Sequence, residues 1–150
     1  ETAFAYVEHL ELSFLCSVLR CFDPTNERGA PRKSKKIYFV DPLIYAIAGA
    51  LLRGVRNCHA WWLQQISVDD FRGKIFESIL VNHALRHTGK EVYYWYSSTL
   101  KRELDLLLES NGQIFLYDAK LKEQAIHAAL GKPVSVITPK VFIERRGWQD

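Results

Sequence analysis

The sequence predicts an α/β (α+β) fold in which helices flank a mixed sheet. Three patterns predict it: a hairpin over residues 103–122, an amphipathic helix that ends near residue 88, and an aromatic strand over residues 92–96 between them. Apolar residues make up 48% of the 150 residues and charged residues 25%, as in soluble globular proteins. From residue 70 onward the predicted order is helix, three strands, helix and strand.

The first 40 residues are predicted to form a helix followed by two strands around a basic loop. Residues 3–11 carry apolar side chains at helical spacing, and residues 14–22 and 37–40 are rich in the apolar and aromatic side chains typical of strands. The end of a winged-helix domain has this order. We therefore predict a winged-helix-like remnant over residues 1–40 and a second domain over residues 41–150.

The net charge of +3 is concentrated in residues 24–36, which contain Pro and Gly and the single acid Glu27. Such a loop can contact phosphates by charge alone. Five basic residues of this segment are the predicted DNA-binding residues: Arg28, Arg32, Lys33, Lys35 and Lys36. The alternative is a solvated hairpin tip that is kept polar for solubility.

Asp41 and Pro42 begin the next predicted helix, because Asp accepts free backbone amides at an N-cap and Pro suits the first helical position. This helix runs to about Arg53, and Gly54 can end it.

A second helix start is predicted at Ser67, which has the acid Asp70 three residues later, as in a capping box. Glu77 falls at the edge of the apolar stripe of this helix, between small neighbours. A carboxylate at the border of a buried face predicts a functional role. The alternative is an exposed Glu77 that pairs with Lys74 or Lys90.

The hairpin over residues 103–122 is the central feature of the chain. Asn111-Gly112 predicts a two-residue turn, because both residues tolerate positive φ. Alternation predicts that Leu104, Leu106 and Leu108 share one face of the first strand and that Glu103, Asp105 and Glu109 share the other. On the second strand, Asp118 and Lys120 share a face. Two carboxylates and an ammonium on neighbouring strands can hold a hard cation beside a phosphate.

Three further elements are predicted after the hairpin. Residues 123–130 are assigned to a helix, residues 134–138 to a core strand, and residues 141–144 to an edge strand.

The three cysteines, without a Cys-x-x-Cys pair, argue against a disulfide framework and against a zinc ribbon, and we interpret them as thiols in a reducing cytosol. No apolar run reaches the roughly 18 residues of a membrane span, so no membrane association is predicted.

The hairpin resembles the PD-(D/E)xK nuclease superfamily, also called restriction-endonuclease-like, in which an acid in one strand is followed by an acid-x-Lys tripeptide. Here the first acid is Asp105 and the tripeptide is Asp118-Ala119-Lys120. The resemblance implies an αβββαβ core and a nuclease dependent on Mg²⁺ (or Mn²⁺). Glu77, Asp105 and Asp118 would bind the metal, and Lys120 would orient the attacking water. The alternative is an ion-pair network inside a nuclease fold that no longer cleaves.

A narrower resemblance covers roughly residues 3–140. YVEHLELSFL, KKIYFVDPLI, GKIFESILVNHAL, ELDLLL and YDAKL, in this order, are similar to the C-terminal region of archaeal and bacterial AAA+-type ATPases. In that family a P-loop ATPase precedes a winged helix and a restriction-endonuclease-like domain. The family usually has Glu where this chain has Asp118, and superfamily nucleases use either residue.

This resemblance implies DNA as a partner and an ATPase module in the same or a partner chain, and it leaves a homo-oligomer open. From the resemblance together with the thiols, we expect a cytoplasmic location. The chain contains no G-x-x-x-x-G-K-[ST], so we do not expect it to hydrolyse nucleotides by itself. Two competing functions remain open. One is a non-catalytic DNA- or protein-binding module of such an ATPase. The other is a dimerisation domain, suggested by the aromatic residues 93–96 and the pair Trp61-Trp62.

Overall fold

The computed structural model describes residues 2–30, 33–110, 112–123 and 127–144. These residues form the helices α1 Ala3–Leu12, α2 Pro42–Leu52, α3 Cys58–Ile66, α4 Asp69–His87 and α5 Pro139–Glu144. The strands are β1 Cys16–Asp23, β2 Arg28–Gly29, β3 Lys35–Phe39, β4 Glu91–Ser97, β5 Arg102–Ser110, β6 Gln113–Ala119, β7 His127–Ala129 and β8 Lys132–Ile137. Among the described helices, none is long and apolar enough to cross a membrane.

All eight described strands belong to one open sheet with the order β2-β1-β4-β5-β6-β8-β7, and β3 also pairs with β1. The pairs β1–β4 and β6–β8 are parallel, and the other pairs are antiparallel. The predicted mixed α/β architecture, with helices flanking a mixed sheet, is therefore confirmed.

The N-terminal strands are part of this sheet. β1 and β3 form the predicted antiparallel hairpin after α1. However, β1 also pairs in parallel with β4, with Arg20 opposite Tyr93 and Cys21 opposite Tyr94. The predicted boundary at residue 40 therefore does not separate two sheets.

The sheet buries apolar side chains on both of its faces. One cluster joins α4 to the sheet and contains Leu19, Cys21, Phe76, Leu80, Val81, Ala84, Val92, Tyr94, Leu106, Leu108 and Ile137. The other cluster contains Phe22, Tyr93, Trp95, Leu104, Leu107, Leu116, Ala129 and Val134. A smaller cluster around Trp61 packs α2 against α3, and the rings of Trp61 and Trp62 both contact Phe71 at the start of α4.

The β5 strand departs from strict alternation. Tyr93 pairs with Leu107 but Trp95 pairs with Leu104, so β5 has an extra residue at this point, as in a β-bulge. Because of the bulge, Leu104 packs in the cluster opposite to the one that contains Leu106. The predicted common face for Leu104, Leu106 and Leu108 is therefore wrong for Leu104.

The hairpin between β5 and β6 closes as predicted, because Ser110 pairs with Gln113 and leaves two residues for the turn. Gly112 has a φ of +73°, which glycine adopts without strain. Asn111, the other predicted turn residue, lies outside the described residues.

The two predicted helix starts have different outcomes. Asp41 caps α2 as predicted, since its carboxylate accepts from the Leu43 amide over 2.7 Å. The predicted cap at Ser67 is wrong, because Ser67 ends α3 and its hydroxyl donates to the Gln64 carbonyl. Val68 takes the N-cap position of α4 and makes no side-chain cap.

Two predicted elements near the C-terminus are wrong. Part of the helix over residues 123–130 lies outside the described residues, and the described part is β7, which forms a tight hairpin with β8. Leu130 and Gly131 both have positive φ, as a two-residue hairpin turn requires, and this turn decides the local structure. Residues 141–144 belong to the helix α5 and not to a strand, because Pro139 begins it and the Thr138 hydroxyl accepts from the Val141 amide.

Candidate functional site

Charged side chains from four elements meet beside the sheet in what we call the charged cluster. Its acidic members are Glu77 on α4, Glu103 and Asp105 on β5, and Asp118 on β6, and its basic members are Lys36 on β3 and Lys120 just after β6. The β-bulge of β5 lies beside Asp105, and bulges often re-aim side chains next to functional sites.

The hairpin motif contributes four contacting residues. The Ala119 amide donates to Asp105 Oδ2 over 2.9 Å. Lys120 Nζ lies 2.9 Å from Asp118 Oδ1 and 3.8 Å from Asp105 Oδ2. Asp105 is 9% exposed and Asp118 is 5% exposed, so both carboxyl groups are buried beside the ammonium. The structure thus brings together the acid of the first strand and the acid-x-Lys tripeptide.

Lys36 occupies the other side of the charged cluster. Its Nζ lies 2.5 Å from Glu103 Oε1, 2.7 Å from Glu77 Oε1 and 3.7 Å from Asp105 Oδ1. The sequence predicts Lys36 as a DNA contact, but the structure directs its ammonium into the carboxylates. Only 21% of its side chain is exposed.

Tyr38 fixes Glu77 from the same strand as Lys36. Its hydroxyl donates to Glu77 Oε1 over 2.6 Å. Burial, followed by the charge of Glu77, raises the pKa of Tyr38 above its ordinary value, so the phenol stays protonated and remains a donor. The alternative of an exposed Glu77 that pairs with Lys74 or Lys90 is therefore wrong. Lys74 bonds Asp70 instead. Glu77 is half-buried and bonds Lys36 and Tyr38.

Three carboxylates of the charged cluster lie close enough to one another to hold one metal ion. Glu77, Glu103 and Asp105 each offer an oxygen atom that lies within 4.8 Å of the other two. Asp118, a predicted ligand, lies beside this group and contacts Lys120. Glu103 was not among the predicted ligands. Alternation had placed it on the same face as Asp105, and that shared face was the signal that could have identified it.

Burial and neighbouring charges shift the protonation equilibria of the cluster. Burial, a hydrogen bond with Asp118 and the charge of Asp118 raise the pKa of Asp105 to about 6. For Lys36, burial favours the neutral form, but the charge of Glu77 and the hydrogen bonds with Glu103 and Glu77 prevail and raise its pKa to about 12. Lys36 therefore carries a full positive charge among the acids at neutral pH.

The other predicted DNA-binding residues lie apart from the carboxylates. Arg28 and Lys33 are exposed. Lys35 is half-buried, with its ammonium 4.1 Å from the centre of the Phe4 ring. Arg32 lies outside the described residues.

Comparison with known families gives one match. Residues 72–135 match a domain of unknown function, DUF4143. The DUF4143 match covers less than half of the chain, and its description carries no activity. It includes every acidic residue of the charged cluster and Lys120, whereas Lys36 and Tyr38 precede it. No curated protein and no solved structure gives a significant match to the chain.

Proposed function

We propose that this chain carries a divalent-metal-dependent nuclease site, in a restriction-endonuclease-like core, that hydrolyses phosphodiester bonds of DNA. One observation carries the proposal. Asp105, the tripeptide Asp118-Ala119-Lys120 and the helix carboxylate Glu77, which are distant in sequence, converge in one charged cluster. This is the set of residues that the nuclease resemblance implies.

The donor set of the cluster fits Mg²⁺ or Mn²⁺, because these cations prefer carboxylate oxygens and the oxygens of Glu77, Glu103 and Asp105 lie close together. Asp105 and Glu77 would hold the metal, with Glu103 or the adjacent Asp118 completing the protein ligands. A bound cation would acidify a coordinated water and offset negative charge on a phosphate.

Lys120 would act as a hydrogen-bond donor. Burial favours its neutral form, but the hydrogen bond that Lys120 donates to Asp118 and the charges of Asp105 and Asp118 prevail and raise the pKa of Lys120. An ammonium that stays protonated cannot take a proton from water. Lys120 therefore orients the attacking water and offsets the charge that develops on the phosphate.

Exposed basic residues would contact the phosphates of the nucleic acid and so position it relative to the charged cluster. Arg28 and Lys33 belong to the segment that concentrates the positive charge of the chain, and phosphate contacts of this kind weaken as salt is raised. We also propose that an ATPase module of the AAA+ type, in the same or a partner chain, is a partner of this site.

A second candidate function is a non-catalytic DNA- or protein-binding module of such an ATPase. The contacts of Lys36 favour it, because an ammonium bonded to Glu77 and Glu103 compensates the acids without any metal. In that case the charged cluster would be an ion-pair network that stabilises the fold.

Cleavage of labelled single- and double-stranded DNA with Mg²⁺ or Mn²⁺ distinguishes the two candidates. We expect metal-dependent cleavage that falls by about 10² or more in Lys120→Ala and in Asp118→Ala. Lys122→Ala, which removes an exposed ammonium two residues away, is the matched control and should cleave like the unchanged protein. DNA binding without cleavage would favour the binding module, and equal cleavage in all variants would refute the assigned site.

A further inference from the structure

We propose that Lys36 is an internal cation that competes with divalent metal for the charged cluster and so sets the metal affinity of the site. This inference rests on the proposed metal site. The structure provides the geometric basis: the Lys36 ammonium bonds Glu77 and Glu103 and lies 3.7 Å from Asp105. These are the same three carboxylates whose oxygens lie within 4.8 Å of one another.

The Lys36 ammonium and a divalent cation compete for these carboxylates. Each carboxylate offers only two oxygens, and one oxygen of Glu77 already accepts from both Lys36 and Tyr38. A divalent cation among the same acids would also lie within a few ångströms of the ammonium, where like charges repel strongly. Metal binding therefore favours displacement of the Lys36 side chain, and its exposed fraction of 21% leaves a route toward solvent.

The covalent tether gives Lys36 an advantage over free monovalent ions. An ammonium held on β3 beside the cluster has a high effective concentration there, so Na⁺ and K⁺ do not displace it. A divalent cation gains twice the Coulomb energy from each carboxylate and can displace it. Lys36 thus restricts the site to divalent cations and keeps their binding weak in the free protein.

The test compares Mn²⁺ affinity in the unchanged protein, Lys36→Met and Lys36→Arg, measured by electron paramagnetic resonance titration of free Mn²⁺. We expect Lys36→Met to bind Mn²⁺ about tenfold more tightly or better, and Lys36→Arg, which keeps the charge, to bind as weakly as the unchanged protein. Lys35→Met is the matched control on the same strand, because its ammonium contacts the Phe4 ring and not the carboxylates. Its Mn²⁺ affinity should stay unchanged.

Thermal unfolding provides an independent measurement without DNA or activity. In EDTA, Lys36→Met should unfold about 3 °C or more below the unchanged protein, because three carboxylates lose their counter-charge. Added Mn²⁺ should restore more stability to Lys36→Met than it gives the unchanged protein. If Lys36→Met does not fold, Lys36→Gln, which is uncharged but keeps a hydrogen-bond donor on a slightly shorter side chain, takes its place in both measurements.

Equal Mn²⁺ affinity in the unchanged protein and Lys36→Met would overturn the inference and leave the metal site standing. Weaker binding in Lys36→Met would also overturn it, because Lys36 would then support metal binding. If Mn²⁺ binds to neither protein, both the inference and the proposed metal site fail. Where Mn²⁺ does bind, its loss in Asp105→Asn distinguishes binding at the charged cluster from binding elsewhere on the chain.

Discussion

The Asn82 side-chain amide donates to the backbone carbonyl of Phe39 over 2.9 Å and joins the middle of α4 to the last residue of β3. The same amide donates to the Ser78 carbonyl, and the Asn82 oxygen accepts from the Ser17 hydroxyl of β1 over 2.7 Å. Asn82 is thus a buried polar link among one helix and two strands. It fixes α4 against β3, and with them the distance between Glu77 and Lys36.

Replacing Asn82 with Leu should lower the free energy of unfolding by about 1–3 kcal/mol, because the Ser17 hydroxyl and the Phe39 carbonyl, on half-buried residues, each lose a partner. Urea denaturation measures the change. Ser78→Ala is the comparison, since the Ser78 hydroxyl reaches the same Phe39 carbonyl at a longer 3.2 Å, and its loss should be smaller. An Asn82→Leu protein as stable as the unchanged one would contradict this role.

Gly49 on α2 allows Trp61 of α3 to approach closely. A Cβ at position 49 would lie 2.6 Å from Trp61 Cη2, so Gly49→Ala forces the two helices apart and should cost about 1–3 kcal/mol. Gly73 on α4 is the matched control, because nothing lies within 4 Å of a Cβ built there. Gly73→Ala should instead stabilise the protein by up to about 1 kcal/mol, the gain in helix propensity. Thermal unfolding of the two variants should show shifts of opposite sign.

The stability of the metal-free protein should fall as pH rises from about 4 to about 6 because of Asp105. Its pKa is raised from 3.8 to about 6, so the unfolded chain releases the proton before the folded chain does. The stabilisation is present below the unfolded pKa and is lost as pH rises through the folded pKa, by an amount on the order of 2 kcal/mol.

Asp105→Asn removes this titration. Urea midpoints of the two proteins, measured in EDTA at several pH values, should show that the Asn variant gains stability relative to the unchanged protein across this window. A difference between the two proteins that does not change with pH would refute the assignment.

The Tyr38 hydroxyl should contribute to stability through Glu77. Tyr38→Phe removes the 2.6 Å hydrogen bond to a half-buried carboxylate and should cost roughly 1–2 kcal/mol. Tyr96→Phe, at a ring that is 43% exposed, is the control and should change the urea midpoint little. If the two variants are equally stable, the Tyr38 hydroxyl does not hold Glu77.

Much of the fold could be predicted because its signals are local. The aromatic strand β4, the hairpin of β5 and β6 and the cap of α2 by Asp41 each depend on neighbouring residues. The hairpin also placed Asp105 beside the tripeptide that contains Asp118 and Lys120, because two paired strands fix which side chains are adjacent.

The remaining features of the fold and of the charged cluster depend on contacts that sequence spacing does not encode. Lys36 reaches the acids only because β3 joins the same sheet through β1. The bulge of β5 beside Asp105 breaks the alternation on which the prediction for Leu104 depended. The β7 strand depended on a turn at Leu130 and Gly131, a pair without the usual Asn-Gly signature.

The parallel pairing of β1 with β4 also determines the order in which the chain can fold. Arg20 and Tyr93, which face each other across this pair, are about 70 residues apart, whereas β5 and β6 meet across a two-residue turn. Closing the long loop costs more entropy, so the C-terminal meander is expected to form first and the N-terminal strands to dock later. Until they dock, Glu103 and Asp105 lack the Lys36 ammonium. The charged cluster is therefore expected to be among the last parts of the molecule to assemble.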